Sequence, residues 1–260
     1  MNLKNKFNLE GKVAFVSGGS RGLGKACALA LAEFGASVAL GATDEGKLVE
    51  VSQEIKELGS DVITCPMDIA NPDSVKKAID KAAKDFGKLD ILVNAAGICP
   101  RVPCLEMSEK EMEKTFQINT FGTFYICNAA ANHMKQKIVS EDGGGRIVNF
   151  GSVAGFRARP NVPIYAASKA AVHVLTQSIA VDWAKYGIRA NIVIPGQFDT
   201  DMGAPLMNDP AALEAYVKRI PASRVGQPDE LPSLVIYLCS DASSYVTGGL
   251  FPMDGGLTLQ

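Results

Sequence analysis

The chain has 260 residues, of which 47% are apolar and 21% are charged, and its formal net charge is −2 at pH 7. This composition is typical of a globular protein that is long enough to bury a sizeable core. The near-neutral charge gives no indication of a nucleic-acid or anionic-membrane partner. Residues 1–10 are too polar for a signal peptide, and no apolar run reaches membrane-spanning length. We therefore expect a cytoplasmic protein.

The first predicted unit is a strand at residues 12–17, followed by a glycine-rich turn and a helix that continues to Phe34. The turn reads Gly18-Gly-Ser-Arg-Gly22-Leu-Gly24, which differs from the usual G-x-G-x-x-G spacing. Glycines let a backbone approach a pyrophosphate, whose charge is stabilised at a helix N-terminus. Strand, turn and helix in this order favour a dinucleotide site over an ordinary turn.

Strands and helices continue to alternate along the rest of the chain. Further strands are predicted at residues 37–41, 61–65, 91–94, 146–150, 189–194 and 250–253. Helices are predicted at 44–58, 72–86, 108–137 and 164–186, the second opened by Asn71-Pro72 and the third by a Ser108–Glu111 capping box. The alternation predicts an α/β fold with a doubly wound parallel sheet of about seven strands, helices on both faces, and one domain over residues 1–260.

Two segments interrupt this alternation. Residues 135–145 are polar and glycine-rich, and we assign no chemistry to them. Residues 197–222 follow a predicted strand and Pro195-Gly196, and their pattern indicates a loop with a short helix. Ligands of such sheets bind beyond the carboxyl ends of the strands, so this segment is a candidate substrate lid. The alternative is a surface excursion without a function.

Tyr165 and Lys169 lie four residues apart on a predicted helix, so their side chains share one face. A phenol with a pKa of about 10 exchanges protons poorly at neutral pH, and an adjacent ammonium lowers that pKa. Such a pair can act as a general acid and base. Ser152, at the end of the preceding strand, can donate a hydrogen bond to the same substrate oxygen. Alone, the pair is better explained as two surface residues that happen to lie one helical turn apart, because Tyr-x-x-x-Lys is common by chance.

The six cysteines form no Cys-x-x-Cys pair and no zinc-like spacing with histidine. We therefore expect reduced, mostly buried thiols and no metal. A disulfide between Cys99 and Cys104 is not expected in a cytosolic chain. His133 and His173 fall within predicted helices and are interpreted as helix-face residues, and Trp183 is interpreted as a core or interface residue.

Several motifs, in order and at their usual separations, resemble the single-domain branch of the short-chain dehydrogenase/reductase family, and the resemblance covers nearly the whole chain. The motifs are Gly18–Gly24, Asn94-Ala-Ala-Gly97, Asn119, Ser152 with Tyr165-x-x-x-Lys169, and Pro195-Gly196 followed by Thr200. The resemblance implies a Rossmann-type sheet and a nicotinamide-dependent oxidoreductase that interconverts a ketone and a secondary alcohol. Ser17 replaces the family's more common threonine, another hydroxyl, and Phe198 replaces a small aliphatic residue. The Phe198 change is harmless if its backbone still meets the nicotinamide carboxamide, and the alternative is that the bulkier ring reshapes the pocket.

The resemblance also implies roles for individual residues. Tyr165 would exchange the proton with the substrate oxygen, Ser152 would hydrogen-bond that oxygen, and Asn119 would hold a water that links Lys169 to solvent. Lys169 would lower the pKa of Tyr165 and hold the nicotinamide ribose. The implied cofactor-binding residues are Gly18, Ser20, Arg21, Gly22, Leu23, Gly24, Thr43, Asp68, Ile69, Asn94, Ala95, Gly97, Tyr165, Lys169, Pro195, Gly196, Phe198 and Thr200.

The end of the second strand favours NADP(H) over NAD(H). Proteins specific for NAD place an acidic residue there to bind the ribose 2′-hydroxyl, but this chain has Ala42 followed by Thr43. Arg21 resembles the basic residue that meets the 2′-phosphate in NADP-binding members. NAD(H) stays possible, because Asp44 could turn inward to bind the ribose.

The substrate is a weaker prediction than the reaction class. Residues 179–184 and 240–248 resemble members that oxidise gluconate and polyols, which favours a small, polar sugar-acid or polyol substrate. The alternatives are a 3-oxoacyl-carrier-protein reductase and a hydroxysteroid dehydrogenase. A non-catalytic dinucleotide sensor and an extended-branch epimerase or dehydratase are more remote. Single-domain members usually pair two long helices across two-fold axes, so a homotetramer is also implied.

Overall fold

Seven parallel strands form the centre of the structure, a computed structural model that describes residues 3–135 and 144–260. Their order in the sheet is β3-β2-β1-β4-β5-β6-β7, which confirms the doubly wound parallel sheet. The strands are β1 Val13–Ser17, β2 Ser37–Ala42, β3 Val62–Pro66, β4 Ile91–Asn94, β5 Arg146–Phe150, β6 Arg189–Pro195 and β7 Leu250–Met253. The predicted loop at 135–145 falls mainly on residues 136–143, which lie outside the described residues.

The described helices pack on both faces of this sheet. They are α1 Gly22–Glu33, α2 Glu45–Glu57, α3 Pro72–Asp85, α4 Glu109–Phe116, α5 Gly122–Met134, α6 Pro163–Trp183, α7 Ala204–Met207, α8 Pro210–Val217 and α9 Pro232–Cys239. Asn71 caps α3 with Pro72 in its first turn, and the capping box of Ser108 and Glu111 opens α4, both as predicted. None of these helices is long and apolar enough to cross a membrane.

The alternation of side chains along each strand creates two separate cores. Ala14 and Val16 of β1 join the cluster beneath α1, α2 and α9, whereas Val13 and Phe15 join the cluster beneath α3, α5 and α6. Both clusters are almost fully excluded from solvent. Because the sheet is covered on both faces, its strands are continuously apolar, as parallel sheets require.

The predicted continuous helix at residues 108–137 is wrong in one respect. A π-helical segment, Gln117–Phe121, separates α4 from α5, and the Gly122 N–H donates to the Gln117 carbonyl across it. The Gln117 side-chain amide donates to the Ala70 carbonyl at 2.8 Å, which anchors the segment to the loop after β3. This wider turn contains Asn119 and orients it toward the site described below.

The strand order reverses between β1 and β4, so the chain leaves these two neighbouring strands in opposite directions. This is the position at which doubly wound sheets bind their ligands. Residues 197–222 follow β6 and contain the short helices α7 and α8, as predicted for a loop with helical structure. We call residues 197–222 the lid segment.

Candidate active site

The glycine-rich turn lies at the crevice between β1 and β4, and its shape excludes side chains. Gly18 has φ of 71°, and a Cβ there would lie 2.9 Å from the Ala96 nitrogen. A Cβ at Gly24 would collide with the Gly18 carbonyl. α1 begins at Gly22, so its free N–H groups face this crevice. The turn therefore fits a pyrophosphate held by backbone N–H groups, as expected for a dinucleotide.

A buried polar network holds the loop after β4 against this turn. The Ser17 hydroxyl donates to Asn94 Oδ1 at 2.6 Å, and Asn94 Nδ2 donates to Thr123 Oγ1 at 3.0 Å and to Asn149 Oδ1 at 3.3 Å. Asn149 in turn donates to Thr176 at 2.9 Å. Sequence reasoning identified Asn94 but missed Thr123, Asn149 and Thr176. These three residues could have been found because each is polar and occupies a position that the strand or helix pattern predicts to be buried.

The region expected to meet the adenine ribose is open at the end of β2. Thr43 is exposed, and Asp44 caps α2 by accepting from the Lys47 backbone N–H at 3.1 Å. Because capping engages the Asp44 carboxylate, the inward position that would favour NAD(H) is not the one observed. Arg21 is exposed and forms an ion pair with Asp201 of the lid segment at 3.6 Å.

The loop after β6 closes against the glycine-rich turn. The Thr200 methyl lies 3.6 Å from the position that a Cβ at Gly22 would occupy, so this predicted pair does meet. Gly196 is held to β7 by its N–H donating to the Met253 carbonyl at 3.0 Å. Phe198 is only 5% exposed, and its ring packs into the core and against Gly226. The ring therefore lies inside the protein, which favours the alternative in which the larger side chain leaves the pocket unchanged.

Two predicted cofactor residues lie on the loop after β3. Asp68 accepts the Ala70 N–H at 2.9 Å, and its own N–H donates to the Ser74 hydroxyl at 3.1 Å. Ile69 is buried, and its carbonyl lies 2.8 Å from the position of a Cβ at Gly122. This loop is thus packed directly against the first turn of α5, close to the π-helical segment.

Asn119 organises the backbone beyond Gly97. Its amide donates to the Ile98 carbonyl at 2.9 Å, and its Oδ1 accepts the Ile98 N–H at 2.9 Å. The same amide donates to the Ser168 hydroxyl at 3.0 Å. A Cβ at Gly97 would lie 3.1 Å from Asn119 Oδ1 and 3.5 Å from Lys169 Nζ, so three predicted residues converge here.

Tyr165 and Ser152 face each other at the carboxyl end of β5. Burial raises the pKa of Tyr165 to about 12, and a hydrogen bond with the Ser152 side chain opposes this shift. The charges of Arg159 and Arg101 also lower the pKa of Tyr165. The phenol is consequently protonated at neutral pH and can donate a hydrogen bond to a substrate oxygen.

Lys169 is buried on the same helix, one turn after Tyr165. Its ammonium donates to the Phe150 carbonyl at the end of β5, at 2.8 Å. Burial lowers the pKa of Lys169 to about 8. The helical spacing predicted that both residues lie on one helix, but it could not reveal that the lysine ammonium binds a strand carbonyl.

His173 is a site residue that sequence reasoning did not identify. It is 4% exposed, and its Nε2 accepts the Ser152 backbone N–H at 3.3 Å. Burial, and secondarily the charge of Lys169, lower the pKa of His173 to about 4. A neutral imidazole thus fixes the Ser152 backbone by accepting its N–H. A Cβ at Gly155 would lie 2.6 Å from the ring, so this glycine makes room for it.

Comparison with known proteins agrees with this geometry. A family model described as Enoyl-(Acyl carrier protein) reductase matches residues 18–258. Gluconate 5-dehydrogenase of Gluconobacter oxydans (strain 621H) is 36% identical over 253 residues, covering 97% of this chain and 97% of the relative. The chain belongs to the short-chain dehydrogenase/reductase family.

Other members of this short-chain family are equally similar. L-rhamnose 1-dehydrogenase (NAD(P)(+)) of Sphingomonas sp. (strain SKA58) is 36% identical over 250 residues, covering 96% of this chain and 97% of the relative. A crystal structure of a gluconate 5-dehydrogenase from Burkholderia cenocepacia J2315, in complex with NADP and tartrate, is 36% identical with a TM-score of 0.94. It covers 100% of both chains. This short-chain dehydrogenase/reductase is therefore an oxidoreductase, and its fold matches along its full length.

Proposed function

We propose that this protein uses NADP(H) to interconvert a ketone and a secondary alcohol on a small, polar substrate of the sugar-acid or polyol type. One observation carries the proposal. Tyr165, Ser152, Lys169 and Asn119 converge at the carboxyl ends of β4 and β5, beside the glycine-rich turn. This arrangement supplies a proton donor next to a dinucleotide crevice.

The proposed roles follow from the contacts. A bound nicotinamide would supply the hydride, and the protein's own groups would orient the substrate and move the proton. Tyr165 donates its phenolic proton to the carbonyl oxygen during reduction and accepts it during oxidation. Ser152 hydrogen-bonds the same oxygen and stabilises the phenolate. The Lys169 ammonium donates a hydrogen bond to the Phe150 carbonyl and supplies a positive charge at the site. Asn119 holds the loop at Ile98 in position by accepting the Ile98 N–H.

The preference for NADP(H) is supported by the second strand and by one relative. β2 ends at Ala42, Asp44 is engaged as a helix cap, and Arg21 is exposed beside the crevice. The similar Burkholderia protein was solved with NADP. A 2′-phosphate would meet a cation here and no free carboxylate from Asp44.

Arg21→Ala is expected to raise the KM for NADPH by about tenfold or more, the scale of one charge-assisted hydrogen bond, and to change the KM for NADH little. Steady-state kinetics with both cofactors measures the effect. Lys25→Ala is a matched control, since Lys25 is a cation four residues after Arg21, in the first turn of α1, and its ammonium pairs with Glu54 of α2 at 2.8 Å. Equal losses with NADPH and NADH, or a wild type that prefers NADH, would contradict the assignment.

The substrate class rests on the relatives named for gluconate and rhamnose. We expect nicotinamide absorbance to report faster turnover with sugar acids or polyols than with acyl thioesters or steroids. The panel should pair D-gluconate with its 5-keto product, and include a 3-oxoacyl thioester and a hydroxysteroid. Faster turnover of either of the last two would replace the sugar-acid proposal with the corresponding alternative.

We also propose that the chain is one domain that assembles as a homotetramer. Large apolar side chains are exposed on the outer faces of α4, the π-helical segment, α5 and α6, a pattern that suits burial against a second copy. They are Met112, Phe121, Phe124, Val174 and Val181. Light scattering at micromolar concentration measures the oligomeric state, and a monomer would refute the homotetramer.

We also propose a cytoplasmic location, which is supported by the six unpaired cysteines.

A further inference from the structure

The loop before the catalytic tyrosine carries a guanidinium without a counter-ion. Arg159 is partly buried, and it forms no ion pair with any residue in the ranges 3–135 and 144–260. The lid segment contains four acidic residues, Asp199, Asp201, Asp209 and Glu214, and none of them forms an ion pair with Arg159. Three of these four have other partners. Asp201 pairs with Arg21, Asp209 caps α8 through the Ala212 N–H, and Glu214 pairs with Lys218.

An aromatic ring of the lid segment holds this guanidinium instead. The Arg159 Cζ lies 4.8 Å from the centroid of Tyr216 on α8. Tyr216 is only 7% exposed and packs with Val153 and Ile220, so the platform is fixed. A guanidinium that stacks on an aromatic ring contacts it through the flat face of the guanidinium group. Its N–H groups lie at the edge of that plane and can still donate hydrogen bonds. Arg159 is thus oriented without using its hydrogen-bond donors on an acid.

The position of Arg159 relates it to the reacting groups. Its charge lowers the pKa of Tyr165 and also that of Cys99, which lies on the loop after β4. Arg219 stacks on the same Tyr216 ring at the longer distance of 5.9 Å and is exposed. Of the two arginines on this ring, Arg159 is the nearer and the less exposed, it precedes Tyr165 by six residues, and its ring partner packs against Val153, the neighbour of Ser152.

We propose that Arg159 binds the carboxylate of an acidic substrate and that Tyr216 positions it for that contact. This assignment rests on the proposed function and refines it, because it selects a sugar acid over a neutral polyol. A guanidinium binds a planar carboxylate through two parallel hydrogen bonds, and a primary alcohol cannot replace that interaction. Since Tyr216 belongs to the lid segment, the same stack connects recognition of the anion to the position of α8.

The test compares D-gluconate with D-glucitol, which has a CH₂OH group in place of the carboxylate. We expect Arg159→Gln to reduce the ratio of kcat/KM for the acid to that for the polyol by about 10- to 100-fold, the range for a lost charge-assisted hydrogen bond. Arg219→Gln, the matched control on the same ring, should keep the wild-type ratio. Tyr216→Leu should raise the KM for the acid more than it lowers kcat, and Tyr216→Phe should restore the wild-type KM.

Calorimetric titration of D-gluconate into wild type and Arg159→Gln measures the Kd for the acid directly, so this second test does not depend on turnover. Weaker binding to Arg159→Gln, with Arg219→Gln unchanged, supports the assignment. A wild type that oxidises neither compound overturns the proposed function, and the titration then still decides the role of Arg159. An acid-to-polyol ratio or a gluconate affinity that is the same in wild type and Arg159→Gln overturns the role of Arg159 alone.

Discussion

Tyr165→Phe is expected to lower kcat by about 10²–10⁴-fold, the usual loss for a general acid or base, while the Kd for NADPH stays nearly unchanged. The variant keeps the aromatic ring and removes only the hydroxyl that would exchange the proton with the substrate oxygen. Turnover followed by nicotinamide absorbance, together with cofactor binding followed by fluorescence, separates the two effects. Tyr245→Phe is the control, because Tyr245 is fully exposed and distant in sequence from the site.

The direction of the reaction should respond to pH through the same group. Burial raises the pKa of Tyr165 to about 12, so the phenol is in its proton-donating form at neutral pH. Reduction of a ketone can use this form directly, whereas oxidation of an alcohol needs the phenolate. Oxidation should therefore accelerate with rising pH in the wild type and lose this dependence in Tyr165→Phe. Turnover of the variant within a few-fold of wild type would show that another group moves the proton.

His173 should make the wild type lose stability in mild acid. Its pKa is lowered from 6.5 to about 4 in the folded protein, so below pH 6.5 the unfolded chain binds more protons than the folded one. The contribution is fully present above pH 6.5 and is lost as the pH falls toward 4. Between pH 7 and pH 5 this amounts to about 2 kcal/mol in the free energy of unfolding, at about 1.36 kcal/mol per pKa unit.

His173→Gln is the informative comparison for this effect. A glutamine side chain does not titrate, and its carbonyl can still accept the Ser152 N–H in place of Nε2. Urea unfolding at pH 7 and pH 5 should show that wild type loses about 2 kcal/mol more than the variant. Equal losses for the two proteins would mean that the imidazole is not held neutral in the folded state.

The fold could be predicted from the sequence because the local patterns for strands, helix starts and turns agreed with each other. Apolar strands alternated with helical patterns, Asn71 and Ser108 marked helix starts, and the glycines from Gly18 to Gly24 marked the first crossover. Each signal is local, and the parallel sheet follows from their order. The proposed catalytic set could be predicted for another reason, because its members stand at separations that resemble those of the family.

The remaining details depend on contacts between distant segments, which no local pattern encodes. The attachment of Lys169 to the Phe150 carbonyl and of His173 to Ser152 requires knowing how α6 lies against β5. The inward direction of the Phe198 ring depends on the empty space above Gly226. The stack of Arg159 on Tyr216 joins the loop before α6 to the lid segment, two regions that are distant in sequence and lie outside the sheet.

The π-helical segment Gln117–Phe121 has a consequence for engineering this protein. An α-helix turns by about 100° per residue, so one extra residue in a turn puts α5 out of phase with α4. Deleting a single residue here would restore a regular helix and improve its internal hydrogen bonds. The same deletion would swing Asn119 away from Ile98 and Ser168. A screen that rewards thermal stability alone would therefore favour variants in which this turn becomes a regular helix and Asn119 no longer holds the backbone of Ile98.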